Sequence, residues 1–259
     1  KFFTIKKILL LSVLSLSTFS MLSQSDIVSV RTFEKGSTLV VNGDSFMING
    51  MNWDMIPIGK DAVNTNFWNK SDELIKAGLE LEMSLLKQMN VNAIRHYSDI
   101  PSKWVQYIFE NYGIYTMLNH SFGRYGLTIN GVWEPITDYS DHNTQKVLLS
   151  EIETVVNKYK NTPGLLLYLL GNENNYGLFW SGAETEDFPE EESKKKAVGE
   201  KYGRPMYKLM NLAAKKIKEL DSNHPVAICN GDDLFIDIVA EECRDIDIFG
   251  VNSYRGASF

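Results

Sequence analysis

Hydrophobic positions along this chain switch repeatedly between two periods. Ile75, Leu79, Met83 and Leu86 recur at helical spacing, which predicts a helix over 73–89 with one buried face. Val91 to Tyr97 then reads as a strand. Pro101 opens the next helix, whose inner face carries Trp104, Ile108 and Tyr112, and Gly113 stops it. A strand follows over Ile114 to Leu118. A helix over 144–160 ends at Thr162-Pro163-Gly164. Leu165 to Leu170 is apolar throughout, the pattern of a strand buried on both faces. Met206, Met210, Ala213 and Ile217 mark a helix over 205–220. Pro225 to Cys229 is the next strand, Leu234 to Glu242 a short helix, and Ile246 to Val251 a last strand. The run Pro189 to Lys196 places acids before lysines, as a solvated helix start prefers.

Strands alternating with helices imply βαβ units and a parallel sheet. The first strand has no glycine-rich phosphate turn after it, which argues against a dinucleotide fold. Polar and aromatic residues cluster instead where strands end: Trp53 and Asp54, Arg95 and Tyr97, Asn119 and His120, Asn172 and Glu173, Asn252 and Tyr254. A (β/α)8 barrel builds its active site on that rim. The expected fold is therefore an α/β TIM barrel over 46–259. Its count stops after six strands, so strands seven and eight are expected beyond Phe259.

The N-terminal part differs. Two β-rich runs flank Asn42-Gly43-Asp44, which predicts a short hairpin segment over 26–45. Before it, Lys1, Lys6 and Lys7 precede a short apolar run from Ile8 to Leu16, and Ser23-Gln24-Ser25 supplies small residues for cleavage. Residues 1–25 read as a secretory signal, which implies a secreted or periplasmic protein. The apolar run is well short of the roughly 20 residues that span a bilayer, and no other segment could do so.

Composition adds exclusions. With 26 basic and 33 acidic residues the net charge is -7, and no basic block offers a nucleic-acid surface. The four histidines, at 96, 120, 142 and 224, have no metal-ligand spacing, and neither do Cys229 and Cys243. No metal or cofactor is expected. Export would permit a disulfide between the two cysteines; two buried thiols are the alternative.

The strongest chemical candidate is Glu173, in Gly171-Asn172-Glu173-Asn174 at the end of the apolar strand. Retaining glycosidases use two carboxyl groups about 5–5.5 Å apart, one donating a proton and one attacking the sugar. Burial at the end of such a strand would help keep a donor protonated. Asn172 beside it can donate to a sugar hydroxyl. The loop behind carries Glu184, Glu186 and Asp187. One of these could serve as a second carboxylate or an inverting base, but a solvated loop is the favoured explanation.

These residues resemble the catalytic barrel of clan A glycoside hydrolases, and of family 2 in particular. Phe46 to Trp53 is similar to the family's first strand, and Leu85 to Arg95 to its next helix and second strand. Arg95-His96-Tyr97-Ser98, the Gly-Asn-Glu run and Asp247 to Tyr254 are also shared with β-1,3-glucanosyltransferases. The likeness spans roughly residues 38–256. It implies a retaining glycosidase acting on a β-linked oligo- or polysaccharide, with Glu173 as acid/base and a nucleophile Glu at the end of the seventh strand. This chain alone is then expected to be inactive. Arg95 would support the nucleophile and Tyr254 would bond it. Tyr97, Asn119, His120 and Asn252 would line the sugar site, and Trp53, Tyr176 and Trp180 could stack on sugar faces. A transglycosylase is the alternative activity, and a non-catalytic saccharide-binding barrel the alternative class.

Overall fold

The computed structural model describes residues 25–56, 67–97, 99–178 and 191–254. The signal call thus lies outside the described residues apart from Ser25, as do Ser98, Trp180 and the acids Glu184, Glu186 and Asp187.

Three strands come first: β1 (Val28–Phe33), β2 (Gly36–Val41) and β3 (Asp44–Phe46), joined antiparallel in that order. Asn42 and Gly43 take φ of 52° and 97°, the positive pair a tight hairpin turn requires. The expected hairpin is β2 with β3, and β1 adds a third strand to it. Arg31 and the polar residues around it conceal β1, whose exposed face masks the alternation.

The main sheet has six parallel strands: β4 (Gly50–Asn52), β5 (Ala93–His96), β6 (Tyr115–His120), β9 (Leu165–Leu170), β10 (Val226–Gly231) and β11 (Ile248–Asn252). They pair in chain order, the arc of a (β/α)8 barrel. Between them lie α1 (Asp72–Gln88), α2 (Ser102–Tyr112), α3 (His142–Tyr159), α4 (Glu192–Val198), α5 (Arg204–Leu220) and α6 (Ile236–Glu242). Ser71 caps α1 and Asp141 caps α3, each side chain accepting from a first-turn N–H. Gly113 ends α2 at φ 66°, and Pro101 serves as its N-cap, one place before the first turn. Five of the six strands and the helices match the sequence reading to within two or three residues at each end; the first strand, read as Phe46 to Trp53, shrinks to Gly50–Asn52, because Phe46 pairs in β3.

Period two sorts each strand. On β9, Leu165, Tyr168 and Leu170 join the helix-facing core, while Leu167 and Leu169 meet Ala227 and Cys229 inside the arc. A bulge opposite Thr116 and Met117 leaves Leu166 as the extra residue. Leu166 therefore packs downward with Val28, Val41 and Ala93. The small antiparallel sheet closes the N-terminal end of the arc through that cluster, and Val28 N–H donates to the Asn223 carbonyl at 2.7 Å.

Between β6 and α3 the chain makes an excursion that carries β7 (Leu127–Ile129) and β8 (Val132–Glu134), a second hairpin. Its turn is Asn130-Gly131, at φ 52° and 82°. That dipeptide is the signal that could have revealed it in the sequence.

Candidate active site

Arg95 is the organising residue. The inward parity of β5 carries it into the arc, where it is buried at 7% exposure. Its Nε and Nη2 donate to Asn119 Oδ1 at 3.0 and 2.6 Å. Nη2 also donates to Asn172 Oδ1 at 2.9 Å, and Nη1 to Cys229 Sγ at 3.4 Å. The guanidinium stacks 4.5 Å from the Tyr97 ring. Four strands, β5, β6, β9 and β10, thus supply or lead into one cluster. A guanidinium only donates, so every atom facing it must accept.

Asn252, on the inward side of β11, completes the cluster. Its Nδ2 donates to Asn172 Oδ1 at 3.1 Å and to Glu173 Oε1 at 2.8 Å. The Cys229 thiol donates to Asn252 Oδ1 at 3.0 Å. The Asn172 oxygen being taken, its Nδ2 turns to the Tyr125 hydroxyl at 3.3 Å.

The turn holding Glu173 is backbone-strained. Gly171 sits at φ 79° and Glu173 at φ 56°. A left-handed glutamate is uncommon, and such residues gather at functional sites. Asn174 makes the turn possible. It is buried, accepts from Asn172 N–H at 2.8 Å, and donates to the carbonyls of Ser121 and Phe122 and to Tyr139 Oη. Glu173 N–H reaches across to the Cys229 carbonyl at 2.8 Å. The Glu173 side chain is half-buried.

Among the expected site residues, Glu173, Asn172, Arg95, Asn119, Asn252 and Tyr97 come together. Burial raises the Tyr97 phenol, opposed by the Arg95 charge. The others sit elsewhere. Period two turns His120 to the outer face, where Nδ1 accepts from Phe122 N–H and Nε2 lies 3.4 Å from Glu151. There it lines a cavity of about 430 Å³ with Tyr97, Asn119, Glu151, Thr154 and Tyr159. Trp53 is 7% exposed and packs on Trp68 and His96. Tyr176 lies over Gly231 and donates to Asp232 at 2.9 Å. Tyr254 is 89% exposed, with no hydrogen bond to the cluster among the described residues.

Sequence reading missed Cys229, Asn174 and Tyr125. No disulfide forms: both thiols are free, and Cys243 donates to the Tyr207 carbonyl. Burial pushes the Cys243 thiol up to about 12. Among the described residues, no group of three or more His, Cys, Asp or Glu is arranged to hold a metal, and no helix is long and apolar enough to cross a membrane.

Residues 33–254 match the family model described as glycosyl hydrolases family 2, TIM barrel domain. A β-galactosidase of Lactococcus lactis is 28% identical over 148 residues, 56% of this chain and 13% of that protein. One from Alteromonas mediterranea is 26% identical over 146 residues, 55% of this chain and 12% of its own length. The chain thus spans about an eighth of the β-galactosidases that it matches. Among solved structures, Bacteroides uniformis β-glucuronidase 2, covalently bound to cyclophellitol-6-carboxylate aziridine, superposes with a TM-score of 0.56 at 17% identity, covering 85% of this chain and 22% of that one. β-Mannanase from the blue mussel Mytilus edulis gives 0.57 at 12% identity, covering 90% and 75%. These two share the fold. With the family model covering nearly the whole described region, the chain belongs to glycosyl hydrolases family 2, as its TIM barrel domain.

Proposed function

We propose that this chain is the acid/base half of the catalytic barrel of a retaining β-glycosidase, with Glu173 as proton donor. The carrying observation is the joint hold on Asn172 and Glu173: Asn252 donates to both side chains while Arg95 clamps Asn172. Glu173 would protonate the leaving oxygen, then take a proton from the incoming water. Asn172 Nδ2, now on the Tyr125 hydroxyl, is the donor free to exchange that partner for a sugar hydroxyl.

The nucleophile is a second carboxylate. By family resemblance it stands at the end of a seventh barrel strand, and the described residues hold six. Arg95 supports that reading. It is buried, and among the described residues no carboxylate pairs with it. A buried cation lacking a counter-charge is costly, and a nucleophile carboxylate placed above it would supply one. The β-galactosidase and β-glucuronidase relatives make β-linked galactosides and glucuronides the first substrates to try. Export through residues 1–25 is part of the same proposal.

The test uses a polypeptide carrying this chain together with strands seven and eight. Aryl β-glycosides should be hydrolysed with retained anomeric configuration, and Glu173→Gln should remove at least about 10²-fold of kcat on poor leaving groups. A full-rate Glu173→Gln variant, or an inverted product, would overturn the reading. Binding without turnover would indicate a saccharide-binding barrel, and transfer products with an oligosaccharide donor a transglycosylase. The 259-residue chain alone should be inactive.

A further inference from the structure

The donor and acceptor pattern around Arg95 leaves one group with an assignment that cannot be exchanged. Arg95 forces Asn119 Oδ1 and Asn172 Oδ1 to accept. Asn252 therefore has to present its NH2 to Asn172 Oδ1 and Glu173 Oε1, both acceptors. Its own oxygen is left facing Cys229. A flipped Asn252 would set its oxygen against two other oxygens. A donor at position 229 is what this orientation requires to satisfy the remaining oxygen.

We propose that Cys229 is a positioning residue for the acid/base. Its thiol donates to Asn252 Oδ1 at 3.0 Å, and this contact holds the Asn252 amide in the orientation that delivers an N–H to Glu173. The alternative acceptor, Asn172 Oδ1, is 4.0 Å away, so the S–H is committed to Asn252. Arg95 Nη1 donates to the sulfur, so the thiol's own proton is the one it has to give to Asn252. Two charged groups act on the thiol. Arg95 on β5 favours thiolate, and Glu173 after β9 opposes it. Burial, the largest influence, raises the thiol and keeps the proton in place. Cys229 is 7% exposed and packs among Leu167, Leu169 and Ala227, which fixes its rotamer.

This inference rests on the proposed role of Glu173. Its consequence is geometric: with the amide loosened, Asn252 no longer delivers its N–H to Glu173 Oε1, and the carboxyl loses the contact that aims it. The experiment compares Cys229→Ser, Cys229→Val and Cys229→Ala in the strand-completed enzyme. Values of kcat and KM are measured separately, and the Asn252 side-chain NH2 is followed by NMR. Ser keeps an O–H donor, whereas Val keeps the volume without one. Val and Ala should lose about fivefold in kcat/KM, the worth of one net hydrogen bond, with the loss carried by kcat, and shift the Asn252 side-chain NH2 resonances. Ser should restore both. Equal behaviour of Ser and Val, or unmoved Asn252 NH2 resonances in a folded Val variant, overturns the proposal. An active enzyme whose Glu173→Gln variant keeps full rate refutes the donor assignment instead, so the two failures are distinguishable.

Discussion

At the scale of single residues, the site is a problem of hydrogen-bond polarity solved by one cation. Arg95 holds two asparagine oxygens from one planar fork, and lysine cannot reproduce that geometry. Arg95→Lys in the strand-completed enzyme should lower kcat/KM by about 10²-fold while the melting temperature changes little, read by steady-state kinetics beside a thermal melt. The turn at Glu173 has the opposite character, because its demand is steric. A Cβ on Gly171 would lie 2.3 Å from Asn174 Oδ1, and its φ is 79°. Gly171→Ala should therefore destabilise by about 2–4 kcal/mol, combining clash and backbone strain. Denaturant unfolding gives that number directly. Gly171 and Asn174 stand beside Glu173 in the sequence, yet nothing there shows that the asparagine amide fills the space that the glycine leaves.

At the scale of elements, the barrel rests on local pattern, and one departure from pattern does the closing. Leu165 to Leu170 predicts a strand buried on both faces, and all six residues are buried. The bulge within it was not legible, since Leu166 looks like its neighbours. Only pairing with β6 makes it the extra residue and turns it to the small N-terminal sheet. Leu166→Ala should cost about 2–4 kcal/mol, because the hole it leaves lies between two sheets and cannot collapse easily. An equilibrium urea titration checks this. A loss under about 0.5 kcal/mol would mean that the N-terminal sheet does not support the arc. The second hairpin, β7 and β8, escaped the sequence reading although Asn130-Gly131 marks it. It belongs to a loop excursion, where a helix-strand rhythm offers no place for it.

For the whole molecule, the N-terminal end of the arc carries a buried polar cluster apart from the candidate site. Asp221 accepts from Tyr168 at 2.8 Å and from Asn223 N–H at 2.9 Å, and lies 2.8 Å from His224 Nδ1. Burial by itself would raise the Asp221 carboxyl. The His224 contact, the backbone N–H and Tyr168 outweigh it and hold the group below its ordinary value. A depressed folded value means stability that is present above the unfolded pKa, near about 4, and is lost as pH falls through the folded one. Unfolding free energy should thus drop below about pH 4, and Asp221→Asn should flatten that slope; melts from pH 6 to pH 3 would show it.

The fold class, six strand positions, the helices between them and the rim position of Glu173 were determined by the sequence itself. Each follows from periods of two and 3.6 residues, which are local quantities read within about a dozen positions. The parity of Asn119 and His120 was legible in the same way, once β6 is seen to run to His120. What only the tertiary structure decided is which atoms meet. Cys229 is 134 residues from Arg95 and bonds it because β5 and β10 face one interior. Strand order and register set that distance, and a linear pattern carries neither. Glu173 could be named from its strand, but the asparagine that donates to it and the thiol bonded to that asparagine come from strands much later in the chain.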